Sequence, residues 1–287
     1  MATAIGGRLL KFGHELTVWN RTPGKTAPLV AAGARVATTP AQVAAASDMV
    51  MTILTDAVAI QAIYLGPDGL LSGNVTGKLF VEMSTVRPST ERALAARVHE
   101  RGAAFIDCPV GGTVGPAAEG QLFAFVGGAA ADVARARPVL DPLCRRIEHL
   151  GPVGAGATLK LAANLTTQVY WQTFGEALAL CKPLGLEPHR LMDIFADTSG
   201  APRVFHHRKD DIANAMAGKD IQPVNFDIDA VRKDLRAIVE EGAAIGCTLP
   251  LAGRALECFD RASREGLGAK DCATMPAIWW RRSDQGA

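Results

Sequence analysis

The stretch Gly151-Pro-Val-Gly-Ala-Gly156 divides the sequence into two parts with different patterns. On its N-terminal side, short β-branched and apolar runs alternate with alanine-rich stretches, as strands alternate with helices. The predicted strands are Leu16–Trp19, Met49–Leu54, Leu79–Glu82, Phe105–Asp107 and Leu122–Val126. This alternation predicts an α/β fold with a parallel, doubly wound sheet, in which ligands bind at the carboxyl ends of the strands.

On the C-terminal side, the residues from Ala157 to about Leu184 read as one long helix, and no strand pattern follows it. Further helices are predicted at about 188–197, 204–216, 227–245, 249–265 and 270–279, separated by glycine or proline. The sequence therefore predicts an α/β domain over residues 1–150 and an all-helical domain over residues 151–287, entered through the long helix. A chain of 287 residues exceeds the usual size of a single core, which favours two domains with a cleft between them.

Composition excludes several classes of partner. The formal net charge is +1 without a basic run, so neither nucleic acid nor an anionic membrane is expected to bind. The six cysteines form no CxxC pair, which argues against a disulfide framework or a zinc site and favours a cytoplasmic protein. His206-His207 is predicted to lie on an exposed helical segment beside Arg208-Lys209, and no metal site is expected because a third ligand is missing.

The chain begins directly with a helix, predicted at Ala4–Gly13 and followed by the strand Leu16–Trp19. A dinucleotide-binding domain normally opens with a strand and a G-x-G-x-x-G turn before such a helix. Here Met1-Ala2 stands where the last two positions of that motif belong, with Ala2 in place of the final glycine. Only the later half of the motif is therefore present.

The segment Arg8-Leu-Leu-Lys-Phe-Gly-His-Glu-Leu-Thr-Val-Trp-Asn-Arg-Thr22 resembles the first helix and second strand of 3-hydroxyisobutyrate dehydrogenase relatives, the β-hydroxyacid dehydrogenase family. The resemblance continues to about residue 280. It implies a Rossmann-type nucleotide-binding domain, a helical domain for substrate and dimerisation, and hydride transfer between a nicotinamide cofactor and a small 3-hydroxy acid or its semialdehyde. Because the first strand and two glycines are missing, we expect a start codon placed too late or a truncated chain, which binds cofactor poorly or not at all.

Cofactor preference is predicted from the end of the second strand, which reads Asn20-Arg21-Thr22. An acidic residue there would accept a hydrogen bond from the ribose of NAD, whereas Arg21 can pair with the 2′-phosphate of NADP. The resemblance implies NADP(H), with NAD possible. The other positions that it assigns to the cofactor are Ala2, Leu54, Thr55, Thr85 and Lys233.

Two turns are expected to anchor a small substrate through its carboxylate. The resemblance places Ser84 as a donor in the turn Glu82–Pro88; the alternative is a hydroxyl that caps the helix beginning near Pro88. The loop Asp107–Gly115 is similar to the second substrate loop of the family, in which backbone N–H groups of Gly111, Gly112 and Thr113 would face the anion. Its alternative is a tight turn without a ligand.

Gly154-Ala-Gly156 imitates a second dinucleotide site, with Glu176 twenty residues beyond Gly156, but no strand follows the helix to complete a βαβ unit. As G-x-G-x-x-x-K-x-x-x-N, the same stretch resembles the catalytic motif of the family. Lys160 and Asn164 are four residues apart and share one helix face. The resemblance implies that Lys160 donates or accepts the proton, and that Asn164 holds the same oxygen or the lysine.

Two alternatives remain open from the sequence. A chain without the glycine turn could be a catalytically silent module that serves oligomerisation or partner binding, although it would then need neither Lys160 nor Asn164. An imine reductase or a 6-phosphogluconate-type reductase is disfavoured by Lys160 and by the short helical part, respectively. The expected assembly is a homodimer or homotetramer, and the sequence does not choose among the short hydroxy acids and semialdehydes.

Overall fold

The computed structural model describes residues 1–282. The chain divides into two compact units, Met1–Leu161 and a second unit that begins at Ala162. The division lies within a long helix, beyond the residue 150 at which the sequence predicted a domain boundary. An α/β unit followed by a helical unit confirms the predicted fold class.

The first unit contains eight strands in chain order. They are β1 Thr17–Val18, β2 Arg35–Val36, β3 Met49–Thr52, β4 Leu79–Glu82, β5 Ala104–Asp107, β6 Val110–Gly111, β7 Leu122–Gly127 and β8 Cys144–Gly151. The main sheet has the order β3-β4-β5-β7-β6, and β8 also pairs with β7. Strands β3, β4 and β5 are parallel, as are β7 and β8.

The helices of this unit are α1 Ala2–Lys11, α2 Ala27–Ala31, α3 Pro40–Ala45, α4 Ala57–Leu65, α5 Pro88–Glu100, α6 Val114–Glu119, α7 Ala130–Leu140 and the start of α8 Ala155–Cys181. They bury apolar side chains on both faces of the main sheet. Phe80 and Phe105 lie in one core with Tyr64 of α4, and the alternate positions Val81 and Ile106 lie in the other. Two covered faces are the expected arrangement for a doubly wound sheet.

One strand departs from the predicted parallel sheet: β7 runs antiparallel to β5 and β6. The connection explains the direction. Between β6 and β7 the chain contains only the helix α6, of six residues, and short turns. A parallel return needs a crossover of about a dozen residues or more, so the chain comes back beside β6 in the opposite direction.

Strands β1 and β2 pair with each other in a separate two-stranded sheet, and β3 stands at the edge of the main sheet. The helix α1 covers residues close to those predicted for it. Whether a further strand precedes this helix is not tested by residues 1–282, so that expectation stays a prediction.

The second unit contains the rest of α8 and six further α-helices within the described residues. These are α9 Pro188–Ala196, α10 Arg203–His206, α11 Lys209–Met216, α12 Ile228–Ala244, α13 Pro250–Ala262 and α14 Met275–Arg282. Up to residue 282, no helix combines the length and the apolar character that a membrane span requires.

One predicted helix, at about 204–216, is two helices in the structure, because the chain turns at His207-Arg208. The two histidines are exposed as predicted, but Arg208 is half-buried and forms ion pairs with Asp211 and with the fully buried Asp271. The continuous exposed helix predicted for this segment is therefore wrong at Arg208. Its partner Asp271 is distant in sequence, which is why the local pattern did not reveal the break.

Candidate active site

Three polar residues lie side by side across the main sheet, at or near the carboxyl ends of its parallel strands. The register pairs Thr52 of β3 with Glu82 of β4, and Glu82 with Asp107 of β5. All three side chains are buried, and those of Glu82 and Asp107 have no exposed surface. We call Thr52, Glu82 and Asp107 the buried polar row. Because uncompensated polar groups are costly to bury, each is expected to have partners.

Glu82 is held by a hydrogen-bond network within the first unit. Thr52 Oγ1 donates to Glu82 Oε2 over 2.6 Å and lies 2.7 Å from the hydroxyl of the buried Tyr64. The backbone N–H of Ser84 donates to Glu82 Oε1 over 2.8 Å. Burial raises the pKa of Glu82, although the hydrogen bonds from Ser84 and Thr52 act in the opposite direction.

Ser84 belongs to the same network. Its side chain is buried, and its Oγ accepts a hydrogen bond of 2.7 Å from the backbone N–H of Leu54. The alternative role as a helix cap is wrong, because α5 begins at Pro88 with Arg87 at the cap position and no side-chain cap. Ser84 thus ties the turn after β4 to the turn after β3, and its predicted contact with a substrate stays a prediction.

Glu91 of α5 is the least satisfied carboxyl group near the buried polar row. It has no exposed surface, and neither carboxyl oxygen has a hydrogen-bond partner within residues 1–282. Burial raises its pKa well above the ordinary value, and the charges of Glu82 and Asp107 raise it further. The surroundings of Glu91 therefore favour its protonated form.

Asp107 connects the end of β5 to the beginning of α8. Its Oδ1 accepts a hydrogen bond of 2.7 Å from the backbone N–H of Gly154, and its Oδ2 accepts one of 2.8 Å from Ala157. The first N–H groups of a helix have no partner within the helix, and they carry partial positive charge. Burial raises the pKa of Asp107, and the hydrogen bonds from Gly154, Ala157 and Gly156 oppose that rise.

The glycines around Asp107 make room for its carboxylate. A Cβ on Gly156 would lie 2.9 Å from Asp107 Oδ2 and would also overlap the Phe125 carbonyl oxygen. A Cβ on Gly127, the residue paired with Asp107 across the sheet, would overlap Asp107 Oδ1. The N-terminus of α8, which imitates a dinucleotide site in the sequence, therefore binds an anion that belongs to the protein itself.

Lys160 follows Ala157 by three residues on α8, so it lies one turn beyond the part of the helix that Asp107 holds. Its side chain is half-buried. Asn164 is one further turn along the same helix, in the second unit. There its Nδ2 donates a hydrogen bond of 2.8 Å to Asp234 Oδ2.

Lys233 lies on α12 beside the buried Asp234, and its Nζ is 2.8 Å from Asp234 Oδ1. Asp234 therefore binds Asn164 and Lys233 at the same time, through different oxygens. Asp234 is almost fully buried, so this ion pair does not lie on a solvated helix face. The predicted contact of Lys233 with the cofactor stays a prediction.

The end of β1 is open to solvent. Arg21 is exposed, and the carboxamide of Asn20 accepts a hydrogen bond of 2.9 Å from the backbone N–H of Thr22. This short turn points the chain away from the strand and leaves the guanidinium of Arg21 accessible. An accessible guanidinium with no acidic residue in the same turn can pair with an anion.

The remaining predicted positions differ in exposure. The loop after β5 is open, since Gly112 and Thr113 are exposed and Gly111 is half-buried. Gly112 has φ of 126°, a conformation that side-chain-bearing residues rarely adopt. The other predicted cofactor positions range from exposed to half-buried: Ala2, Leu54, Thr55 and Thr85.

Sequence reasoning missed the residues that hold this region together. Glu82 and Asp107 were read as the last residues of strands, and Glu91 and Asp234 received no role. One signal was available: an acidic residue that ends a buried apolar strand must find donors. The donors themselves lie far along the chain, 47 and 50 residues away for Asp107.

Comparison with known proteins matches both parts of the chain. Residues 1–151 match the family described as the NAD binding domain of 6-phosphogluconate dehydrogenase. Residues 154–279 match the family described as NAD-binding of NADP-dependent 3-hydroxyisobutyrate dehydrogenase.

Relatives of known name match over nearly the whole length. An NAD-dependent L-serine dehydrogenase of Pseudomonas aeruginosa is 32% identical over 97% of this chain and 94% of that protein. A 3-hydroxyisobutyrate dehydrogenase of the same organism is 33% identical over 90% of this chain and 88% of that protein. The solved structure of Mycobacterium tuberculosis 3-hydroxyisobutyrate dehydrogenase with L-serine is 25% identical and covers 97% of this chain and 95% of its own, with a TM-score of 0.85. The chain therefore belongs to the β-hydroxyacid dehydrogenase family of NAD(P)-dependent oxidoreductases.

Proposed function

We propose that this protein interconverts a small 3-hydroxy acid and its semialdehyde with NADP(H), with Lys160 as the residue that donates or accepts the proton. The observation that carries the proposal is the start of α8, which Asp107 holds at the carboxyl end of β5. Ligands of doubly wound sheets bind at that edge, and Lys160 follows one helical turn later. Similarity to named dehydrogenases over nearly the full length disfavours a catalytically silent module.

The proton chemistry needs one group that is an acid in one direction and a base in the other. When bound, the nicotinamide supplies the hydride in reduction and takes it back in oxidation. In reduction the ammonium of Lys160 donates its proton to the carbonyl oxygen as that oxygen becomes negative, and a neutral amine remains. In oxidation the neutral amine takes the hydroxyl proton. Asn164, fixed by Asp234, would hold the same oxygen or the lysine in place.

The proposed contacts with the cofactor and with the substrate are made by residues outside the buried polar row. Arg21 would pair with the 2′-phosphate of the cofactor, and its accessibility supports this role. The exposed backbone at Gly112 and Thr113 would face the carboxylate of the substrate, with Gly111 and Ser84 beside it. Leu54, Thr55, Thr85, Ala2 and Lys233 remain proposed cofactor contacts.

Lys160→Ala tests the proposal directly. General acid–base catalysis contributes about 10²- to 10⁴-fold, so kcat should fall by that factor, which raises the activation free energy by about 3 to 5 kcal/mol. The Kd for NADPH should stay nearly unchanged. Lys160→Arg should not restore kcat, because a guanidinium keeps its proton near neutral pH. The measurement is steady-state turnover with a panel of short semialdehydes, together with a fluorescence titration of the cofactor.

Lys78→Ala is the matched control. Lys78 is also half-buried in the first unit, but it precedes β4, at the opposite end of the sheet, and its Nζ donates to the Ser47 carbonyl. Its removal should leave kcat within about twofold, because no reacting group is near that end of the strands. A Lys160→Ala protein with more than about a tenth of the parental kcat, when chemistry limits the rate, would remove Lys160 from the mechanism.

The cytoplasmic location and the homodimer or homotetramer stay predictions.

A further inference from the structure

We propose that Asp107 is a positioning residue: its carboxylate holds the first turn of α8 and thereby sets the position of Lys160. This inference rests on the proposed function, because it gives Asp107 a role in turnover through the lysine. Asp107 itself is fully buried and touches neither substrate nor cofactor in the proposal.

The contact is built from both sides. On the strand side, Asp107 ends β5, so its backbone is fixed by the ladder with β4 and by the pairing with Gly127 of β7. On the helix side, two backbone N–H groups of the first turn donate to different carboxylate oxygens, over 2.7 Å and 2.8 Å. Two bonds to two oxygens fix both the distance and the rotation of the helix start, which one bond would not do.

Two glycines leave room for the contact between Asp107 and the start of α8. Gly127 and Gly156 both stand where a Cβ would press on the Asp107 carboxylate. Gly156, the second glycine of the motif, therefore lets the helix come close to an internal anion, instead of a bound phosphate. A larger residue at either glycine would push the helix start away from the sheet.

The consequence for Lys160 follows from helix geometry. Lys160 is three residues after Ala157, which is about 4.5 Å of helix rise. A shift of the first turn is passed to the lysine almost unchanged over so short a distance. A displacement of about 1 Å at a reacting group can cost about 100-fold in rate.

The test compares Asp107→Asn and Asp107→Ala with Leu140→Ala, a control that creates a cavity in the buried core of the same unit without removing a hydrogen bond to α8. Asparagine keeps one acceptor oxygen but turns an N–H₂ donor toward the second N–H of the helix, so one of the two bonds is lost. All variants are assayed at a temperature at which circular dichroism shows them to be folded. Two properties are measured: kcat and KM with the Kd for NADPH, and hydrogen exchange of the peptide 153–161.

We expect Asp107→Asn to lower kcat by about 10- to 100-fold, with KM and the cofactor Kd within about threefold of the parent. Exchange in peptide 153–161 should become at least about tenfold faster, because the first-turn N–H groups lose their acceptor. Leu140→Ala should change neither kcat nor exchange in that peptide by more than about twofold. Gly156→Ala should reproduce the Asp107 effect from the helix side, which keeps the proposal testable if Asp107 variants do not fold.

Unchanged exchange in the folded Asp107 variants would overturn the proposal. Faster exchange with an unchanged kcat, while Lys160→Ala is impaired, would also overturn it, since the helix start would then not position the lysine. If Lys160→Ala itself retains full turnover, the proposed function fails, and the exchange result alone decides whether Asp107 anchors the helix.

Discussion

The carboxyl ends of parallel strands take two different forms in the first unit. After β3, β4 and β5, the buried polar row is closed by groups of the protein: Thr52, Ser84 and the first turn of α8 satisfy Glu82 and Asp107. After β1, by contrast, Arg21 is exposed and the turn leaves its guanidinium accessible. The same topological position is thus closed by the protein's own groups in one place and open to solvent in the other, where we propose that Arg21 binds the cofactor.

Replacing Arg21, at the exposed end of β1, should have the largest effect on which cofactor is bound. The protein should bind NADPH at least about tenfold more tightly than NADH, and Arg21→Asp should invert that order, because a carboxylate repels the 2′-phosphate and accepts from the ribose hydroxyl. The total change in the ratio of the two Kd values would be about 100-fold, or about 2.7 kcal/mol. Fluorescence titration of both cofactors measures it.

Arg97→Asp is the control for that inversion. Arg97 is an exposed arginine of α5 that pairs with Glu100 at the helix surface. Its replacement changes the net charge by the same amount but should leave the ratio of Kd values within about twofold. Equal affinity of the parent for both cofactors would count against Arg21 as the residue that reads the phosphate.

The exposed end of β1 was predictable from the sequence, whereas the hydrogen bonds that close the ends of β3, β4 and β5 were not. Asn20-Arg21-Thr22 follows a recognisable strand, and a local pattern is sufficient to place Arg21 at its end. The parallel strands β3, β4 and β5 were found in the same way, because apolar runs bounded by turns are local signals. The role of Asp107 depends on donors about 50 residues later, and no local pattern contains that information.

The direction of β7 and the turn at Arg208 were not predicted from the sequence, and the reason is the same for both. Whether β7 runs parallel or antiparallel depends on the length of its connection to β6, not on its own residues. Arg208 leaves the helical pattern to reach Asp271, 63 residues away. Strand and helix positions are thus readable from short windows, while pairing directions and buried ion pairs are set by distant parts of the chain.

Glu91, which lies near the buried polar row, should make the free energy of unfolding depend on pH. Its pKa is raised in the folded protein, so the folded state keeps a proton that the unfolded chain releases above its ordinary pKa. The stability contributed by this proton is present at low pH and is lost as the pH rises, by up to about 1.4 kcal/mol per pH unit. Glu91→Gln should remove this loss, so its advantage in stability over the parent should grow as the pH rises above the ordinary pKa of a glutamate.

Urea unfolding at several pH values measures this effect, with Glu100→Gln as the control. Glu100 lies on the same helix and is exposed, so its replacement should change stability by no more than about 0.5 kcal/mol at any pH. A stability difference between Glu91→Gln and the parent that stays constant as the pH rises would mean that folding does not raise the pKa of Glu91.

The smallest expected effect on stability comes from removing a single hydroxyl near the buried polar row. The chain has two tyrosines, so the second one serves as a matched control. Tyr64 is fully buried, and its hydroxyl lies 2.7 Å from Thr52 Oγ1, whereas the Tyr170 hydroxyl donates to the Gly200 carbonyl in an exposed position. Tyr64→Phe leaves the Thr52 oxygen without its donor in a place that water does not reach, so it should cost about 1 to 2 kcal/mol. Tyr170→Phe should cost less than about 0.5 kcal/mol, because water replaces the lost bond. Urea unfolding of both variants at one pH gives the comparison, and equal losses would show that the end of β3 is open to water and not closed as its burial indicates.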